Sequence, residues 1–123
     1  MAQACPTQEF KVYFAWDRSN LDDAAQQTID AAVARARECN VAGVEVVGFT
    51  DTSGSPSYNL ALSDRRAGVV RDAMVARGIP GQLIATEAAG ENLLDRPTPD
   101  GVREPLNRRS AVTIRFAPPE PNA

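Results

Sequence analysis

One segment, residues 41–77, constrains the fold of this chain more than any other. Val41–Thr50 is a nearly continuous apolar run, which is typical of a strand covered on both faces. The loop Asp51–Ser55 contains glycine and serine, and Pro56 suits the first position of a helix that Ser55 caps. The segment therefore predicts a buried strand, a polar loop and a long helix in direct succession.

Strands and helices alternate along the rest of the chain. The helix after Pro56 is expected to end at Arg77, because Gly78 and Pro80 follow it. The other predicted elements are a strand over Phe10–Trp16, a helix from an N-cap at Ser19 or Asn20 to about Glu38, a strand over Gln82–Ala88 and a strand over Ser110–Phe116. This order predicts an α/β (α+β) protein of the βαβαβ type, a two-layer sandwich with helices on one face of a mixed sheet.

The ends of the chain and the segment before the last strand lack periodic patterns. We expect an N-terminal segment over residues 1–9, one domain over residues 10–117 and a disordered tail over residues 118–123. Residues 89–106 are rich in proline, glycine and aspartate, which predicts an irregular connection with at most one short helical turn. No ligand role is expected for residues 97–105.

Composition excludes several classes of function. The 123 residues carry a formal net charge of −3, whereas a nucleic-acid-binding face is normally basic. The chain has no histidine, which removes Ser-His-Asp catalysis and histidine-ligated zinc. We expect no metal and no cofactor. No apolar run approaches the ~20 residues that span a bilayer, so membrane attachment would need parts absent from this chain.

The two cysteines, Cys5 and Cys39, precede the first predicted strand and end the first predicted helix. The fold can bring these positions together, so we predict a disulfide that staples the N-terminal segment and indicates an oxidising compartment. Two unrelated buried thiols are the alternative, and a lipidated Cys5 would also exclude the pairing.

The long helix carries charged and polar residues where apolar ones are expected. On a helical wheel, Arg66 and Asn59 fall inside the apolar arc that includes Leu62 and Val70, whereas Arg65 lies on the opposite side. We therefore predict that Arg66 points toward the sheet and that Arg65 is a surface charge.

A buried guanidinium needs a partner, because an uncompensated buried charge costs several kcal/mol. Asp51, at the end of the adjoining strand, is the expected partner of Arg66. Two interpretations remain open: a structural bridge between strand and helix, or a ligand site at the end of the strand. The neighbouring polar residues Thr50, Ser53 and Asn59 favour the ligand site. Near the last strand, Arg108 and Arg109 are expected to form a solvated charge pair.

Taken together, these residues resemble the C-terminal domain family of OmpA, which includes the peptidoglycan-associated lipoprotein and flagellar stator domains. The resemblance covers roughly residues 10–116 and rests on Gly48-Phe49-Thr50-Asp51, Gly54, Tyr58-Asn59, Leu62-Ser63, Arg65-Arg66-Ala67, Val70, Gly78, Gly90-Glu91 and Asn107-Arg108-Arg109. Two positions depart from the family pattern: Phe49 stands where His or Tyr is common, and Ala88 replaces the first glycine of a GxGE turn.

The resemblance implies a periplasmic, outer-membrane-associated domain that tethers the envelope to the cell wall. Its partner would be the peptidoglycan stem peptide, bound non-covalently through diaminopimelate. The site residues that it implies are Asp51 for the ligand ammonium, Arg66 for the ligand carboxylate, Asn59 for the peptide and Arg108 for a further carboxylate or sugar, with Thr50 and Tyr58 beside them.

Two other functions compete with wall binding. The fold is also compatible with a structural or protein-interaction module that does not bind the wall. A more remote alternative is an aspartic-type hydrolase, since the loop Asp51–Ser55 resembles the DTGS loop of aspartic proteases. That loop has one extra residue, and its strand–loop–helix setting differs from the largely β proteases.

Overall fold

Two helices cover one face of a four-stranded sheet. The computed structural model describes residues 5–92, 98 and 101–118. In chain order the elements are β1 (Gln8–Tyr13), α1 (Asp23–Ala36), β2 (Val41–Phe49), α2 (Pro56–Ala76), a 3₁₀ turn (Gly81–Leu83), β3 (Ile84–Gly90), a second 3₁₀ turn (Pro105–Asn107) and β4 (Arg109–Phe116).

The strand order in the sheet is β1-β4-β2-β3. β4 is antiparallel to both β1 and β2, and β2 is parallel to β3. The predicted mixed sheet and two-layer architecture are therefore confirmed. The last strand lies beside the second, which brings the chain segment before β4 next to the loop that follows β2.

A single core fills the space between the sheet and the helices. Alternate strand residues point into it, while the residues between them, such as Glu45 and Lys11, remain exposed. The core residues that α1 and α2 supply recur at helical spacing. The cluster comprises Val12, Phe14, Ala25, Ile29, Val33, Ala36, Val44, Val46, Ala67, Val70, Met74, Ile79, Ile84, Val112 and Ile114.

The prediction that β2 is covered on both faces is wrong for most of its length. Glu45 is exposed and Val47 is only half-buried on the face away from the helices. Only the end of the strand is covered there, where the Arg109 guanidinium lies 3.8 Å from the centre of the Phe49 ring. The apolar residues of β2 therefore lie mainly on the face that the helices cover, and the opposite face is only partly covered.

Several predicted boundaries shift by a few residues. The N-cap of α1 is Asp22, whose carboxylate accepts a hydrogen bond of 2.8 Å from the Ala25 N–H, and not Ser19 or Asn20. β3 begins two residues later than predicted, because residues 81–83 form a 3₁₀ turn after Pro80. The predicted Ser55 cap is confirmed, and α2 ends at Ala76, one residue before the predicted end at Arg77, with Gly78 beyond it at a left-handed φ of 103°.

The two cysteines form the predicted disulfide, which joins the segment before β1 to the residues after α1. No described helix has the length and apolarity needed to cross a membrane. The predicted tail over residues 118–123 lies almost wholly outside the described residues, as do residues 1–4 and most of residues 93–100.

Gly48 sets the distance between β2 and α2. A Cβ at this position would lie 2.0 Å from the Ser63 carbonyl oxygen, so the helix backbone would have to move. We predict that Gly48→Ala lowers the free energy of unfolding by about 1–3 kcal/mol or more. Urea denaturation, monitored by circular dichroism, measures this loss of stability.

Gly68→Ala is the matched control for this prediction. Gly68 lies within α2, and a Cβ there would meet nothing within 4 Å. Alanine is favoured over glycine inside a helix, so the same measurement should show a gain of about 0.5–1 kcal/mol. Equal losses in the two variants would contradict the close approach at Gly48.

The Cys5–Cys39 bridge closes a loop with a sequence separation of 34 residues. We predict that the double substitution of both cysteines by serine costs about 2–4 kcal/mol of stability, since the bridge restricts the unfolded chain. Denaturation of the double variant, compared with wild type under oxidising conditions, tests this. A wild-type protein that reacts with two equivalents of thiol reagent after unfolding without reductant would refute the bridge.

Candidate functional site

A small open cavity lies between the end of β2, the start of α2 and the segment before β4. It comprises about 280 Å³ of space, including its open mouth. Its lining residues come from all three regions and from the loop after β1: Trp16, Asp17, Asp51, Ser53, Gly54, Tyr58, Asn59, Leu62, Arg66 and Arg108. Five of the six predicted site residues therefore surround one space: Asp51, Tyr58, Asn59, Arg66 and Arg108.

Arg66 projects from α2 into the interior and is 1% exposed, as the helical wheel predicted. The predicted ion pair with Asp51 is wrong. Its Nε instead donates to the Arg18 carbonyl at 2.8 Å, and Nη2 donates to the Ala15 carbonyl at 3.2 Å. Nη1 donates to the Phe49 carbonyl at 3.4 Å. Backbone oxygens, which no sequence pattern specifies, thus satisfy the buried guanidinium.

The burial of Arg66 lowers its pKa to about 10, while the nearby Asp51 carboxylate acts in the opposite direction. The side chain remains protonated at neutral pH. A guanidinium has five N–H donors, and three of those of Arg66 are bonded to the carbonyls. As far as the described residues show, one N–H on each terminal nitrogen therefore remains for a group in the cavity.

Asp51 is held by its own loop and by Arg108, which directly precedes β4. Its Oδ1 accepts from the backbone N–H of Ser53 at 3.1 Å and from the Ser53 hydroxyl. Its Oδ2 pairs with Nη1 of Arg108 at 3.3 Å, and the side chains of Arg108 and Asp51 are 14% and 4% exposed. Nε of Arg108 donates to the Phe14 carbonyl at 3.0 Å, which fixes the arginine beside the cavity.

The prediction of a solvated pair at Arg108 and Arg109 is also wrong. Arg108 is bonded to Asp51, and Arg109 is 4% exposed above the Phe49 ring. Both arginines are largely buried because β4 lies between β1 and β2 and not at an edge of the sheet. Phe49, at a position where the family commonly has His or Tyr, supplies the ring on which Arg109 stacks.

Asn59 supports the loop that carries Asp51. It is 2% exposed, and its Nδ2 donates to the Ser53 carbonyl at 2.8 Å and to the Asp51 carbonyl at 3.3 Å. Arg65, in contrast, is exposed, as predicted. The buried amide thus fixes the loop conformation as well as lining the cavity.

Thr50 and Tyr58 differ from the other predicted site residues. Thr50 is 1% exposed and is not among the cavity-lining residues. Tyr58 is 46% exposed at the cavity, and its hydroxyl donates to the Asp17 carboxylate. That hydrogen bond raises the pKa of Tyr58 above its usual value. Asp17 has a left-handed φ of 55°, which turns the chain at the cavity rim.

The prediction overlooked Trp16 and the segment that supports it. Trp16 donates from Nε1 to the Ser53 hydroxyl oxygen at 2.8 Å, and Arg103 lies 3.5 Å from the centre of its ring. The segment around Arg103 is anchored because Thr52 accepts two hydrogen bonds, from Gly101 N–H at its carbonyl and from Val102 N–H at its hydroxyl. These contacts join loops that are far apart in sequence, so no local sequence pattern could have predicted them.

Ala88, which replaces the first glycine of a GxGE turn, pairs with Gly48, and the register between β2 and β3 shifts directly after this pair. The left-handed position of this turn is Gly90, with a φ of 58°, and its N–H donates to the Ser63 hydroxyl at 3.0 Å. Among the described residues, no group of three or more His, Cys, Asp or Glu side chains is placed to hold a metal ion.

The chain belongs to the OmpA family, whose sequence model matches residues 13–108. This membership confirms the resemblance on which the site residues were assigned. The family is not enzymatic, so the hydrolase alternative is set aside. The loop after β2 belongs to the strand–loop–helix unit of this fold, and not to an aspartic protease.

Named relatives come from several bacteria. The chain is 37% identical over 110 residues to outer membrane protein A of Yersinia pseudotuberculosis, covering 87% of this chain and 30% of the relative. It is 32% identical over 105 residues to the peptidoglycan-binding protein ArfA of Mycobacterium bovis, covering 84% and 32%. The chain thus spans about a third of the length of these relatives.

Solved structures share the fold. The OmpA-like domain of FopA1 from Francisella tularensis superposes with a TM-score of 0.76 at 25% identity, over 90% of this chain and 76% of that one. The periplasmic domain of Helicobacter pylori MotB superposes with a TM-score of 0.72 at 14% identity, over 93% and 79%. The second match supports the architecture alone.

The contact between Asp17 and Tyr58 gives a test of the cavity rim. Asp17→Asn should lower the pKa of Tyr58, because the charged acceptor that raises this pKa is lost. Asparagine also tolerates the left-handed backbone at this position. Absorbance titration near 295 nm in a Tyr13→Phe background reports Tyr58 alone, since the chain has two tyrosines. An unchanged titration curve would contradict the contact.

Proposed function

We propose that this domain binds peptidoglycan non-covalently through the diaminopimelate of the stem peptide. One observation carries the proposal: Asp51 and Arg66 line the same cavity without being paired to each other. A carboxylate and a guanidinium that face one space suit a ligand that carries both charges. The free end of the diaminopimelate side chain, with its ammonium and carboxylate on one carbon, is such a group.

The donors and acceptors match this ligand. Arg66 has one N–H on each terminal nitrogen without a partner among the described residues, and this arrangement suits a bidentate bond to a carboxylate. Asp51 Oδ2 has Arg108 as its partner and retains acceptor capacity for an ammonium. Asn59 holds the loop backbone so that the carboxylate is in place before the ligand arrives.

Arg108 adjusts to the ligand in this proposal. Its Nη1 lies 3.3 Å from Oδ2 of Asp51 and neutralises that carboxylate. When an ammonium binds Asp51, Arg108 shares the carboxylate with it and directs its remaining donors to a ligand carboxylate or sugar oxygen. Binding therefore adds two charge contacts, ammonium to Asp51 and carboxylate to Arg66, to an ion pair that is already in place.

The relatives support the same class of partner. One is named a peptidoglycan-binding protein, and another, from Pasteurella multocida, is a peptidoglycan-associated lipoprotein that is 36% identical over 80 residues. We infer that the domain, over residues 10–117, acts in the periplasm. In a longer protein with a membrane anchor it would tether the outer membrane to the wall. The Cys5–Cys39 disulfide is consistent with that oxidising compartment.

Co-sedimentation with purified peptidoglycan tests the proposal. Asp51→Asn preserves the shape of the side chain but removes its charge, and Arg66→Lys retains a charge but loses the fork. Asp51→Asn should lose about thirtyfold or more in affinity, since removing one partner of a buried charge pair costs about 2 kcal/mol or more. Arg66→Lys should also bind more weakly, because it cannot form the bidentate bond. Free diaminopimelate should release the wild-type protein.

Arg65→Ala is the matched control, because Arg65 is adjacent in sequence but exposed and outside the cavity. It should sediment like wild type. Circular dichroism and thermal melting establish that each variant is folded. Wild-type binding in a folded Asp51→Asn variant would overturn the assigned site. A folded wild-type protein that does not sediment would favour a structural or protein-interaction module.

A further inference from the structure

Trp16, the single tryptophan of the chain, is 43% exposed at the cavity. One face of the ring is covered, because the guanidinium of Arg103 lies 3.5 Å from its centre. Even with this cover, nearly half of the residue remains exposed. A large apolar ring left open beside a binding cavity is typical of a contact surface for a ligand.

The orientation of this ring is fixed before any ligand binds. Nε1 donates to the Ser53 hydroxyl oxygen at 2.8 Å, and that hydroxyl donates to Asp51. Arg103 is held over the ring by its segment, which Thr52 anchors through Val102 at 3.1 Å. Trp16 thus pays little conformational entropy on contact with a ligand.

The charged groups of the cavity do not account for this open ring. Asp51 and Arg66 match the ammonium and the carboxylate of one amino acid, whereas Trp16 offers a flat apolar surface beside them. A pyranose ring has an apolar face of C–H groups that is similar in size to an indole ring. Arg103 is exposed at the same place and offers N–H donors to hydroxyl or acetamido oxygens.

We propose that Trp16 is a stacking platform for an N-acetylated pyranose of the glycan strand, with Arg103 as its support. This inference rests on the proposed function and extends it: the domain contacts the sugar as well as the stem peptide. Trp16 would then make the domain prefer stem peptides that are still attached to glycan over free peptides.

Calorimetry with two defined ligands tests the platform. One is a diaminopimelate-containing stem peptide, and the other is the same peptide attached to its disaccharide. Wild type should bind the disaccharide–peptide about three- to tenfold more tightly than the free peptide, a typical gain for one aromatic contact. With the disaccharide ligand, the fluorescence of the single tryptophan should shift to the blue.

Trp16→Ala should bind both ligands with equal affinity. Because Trp16 also bonds to Ser53, Trp16→Phe separates the two roles: it lacks the N–H but retains a ring, so it should keep part of the preference for sugar. Tyr13→Ala is the matched control, since Tyr13 is equally exposed at 43% but lies outside the cavity, and its variant should retain the full preference.

The outcomes distinguish this inference from the proposed function. Equal affinity of wild type for the two ligands, or a preference that survives in Trp16→Ala, would overturn the sugar platform and leave peptide binding intact. Equal losses of affinity for both ligands in Trp16→Ala would assign the ring to the peptide instead. Failure of wild type to bind either ligand would overturn both proposals.

Discussion

The site depends on one buried guanidinium that is satisfied without being neutralised. Arg66 is fully enclosed, and three backbone carbonyls from the loop after β1 and the end of β2 accept its hydrogen bonds. Carbonyl dipoles stabilise the positive charge but do not cancel it, as a carboxylate would. Because its pKa stays near 10, the charge persists at neutral pH. The same three bonds tie α2 to the sheet and the first loop, so the fold and the charge of the cavity have a common origin.

The sheet order explains how the opposite charge reaches the same place. β4 lies between β1 and β2, and the residue before it, Arg108, therefore meets Asp51 although 57 positions separate them. The close approach of α2 to β2 at Gly48 brings the start of the helix against that strand end. Residues from four separate segments then line one cavity, which no local pattern in the chain encodes.

The sequence predicted what periodicity and local chemistry determine. The helical wheel separated buried Arg66 and Asn59 from exposed Arg65, and the proline and serine at the start of α2 gave its cap. The prediction failed where the two partners are far apart in sequence, and where the partner is a backbone group that no residue type specifies. Arg66 donates to backbone carbonyls, which every residue has. Asp51, the predicted partner of Arg66, forms its ion pair with Arg108 instead. Trp16 and Arg103 escaped notice because their contact joins two loops.

These contacts also bear on how strongly one site can bind. Asp51 already has Arg108 as a partner, so a ligand ammonium exchanges part of that interaction, while the ligand carboxylate uses the two N–H groups that the three carbonyls leave on Arg66. Such exchange favours selectivity for the correct arrangement of charges over high affinity. Under the proposed function the ligand repeats along every glycan strand, so several linked copies of a site with modest affinity would bind one strand together. A domain of this kind would hold a wall firmly through many contacts while each contact remains reversible.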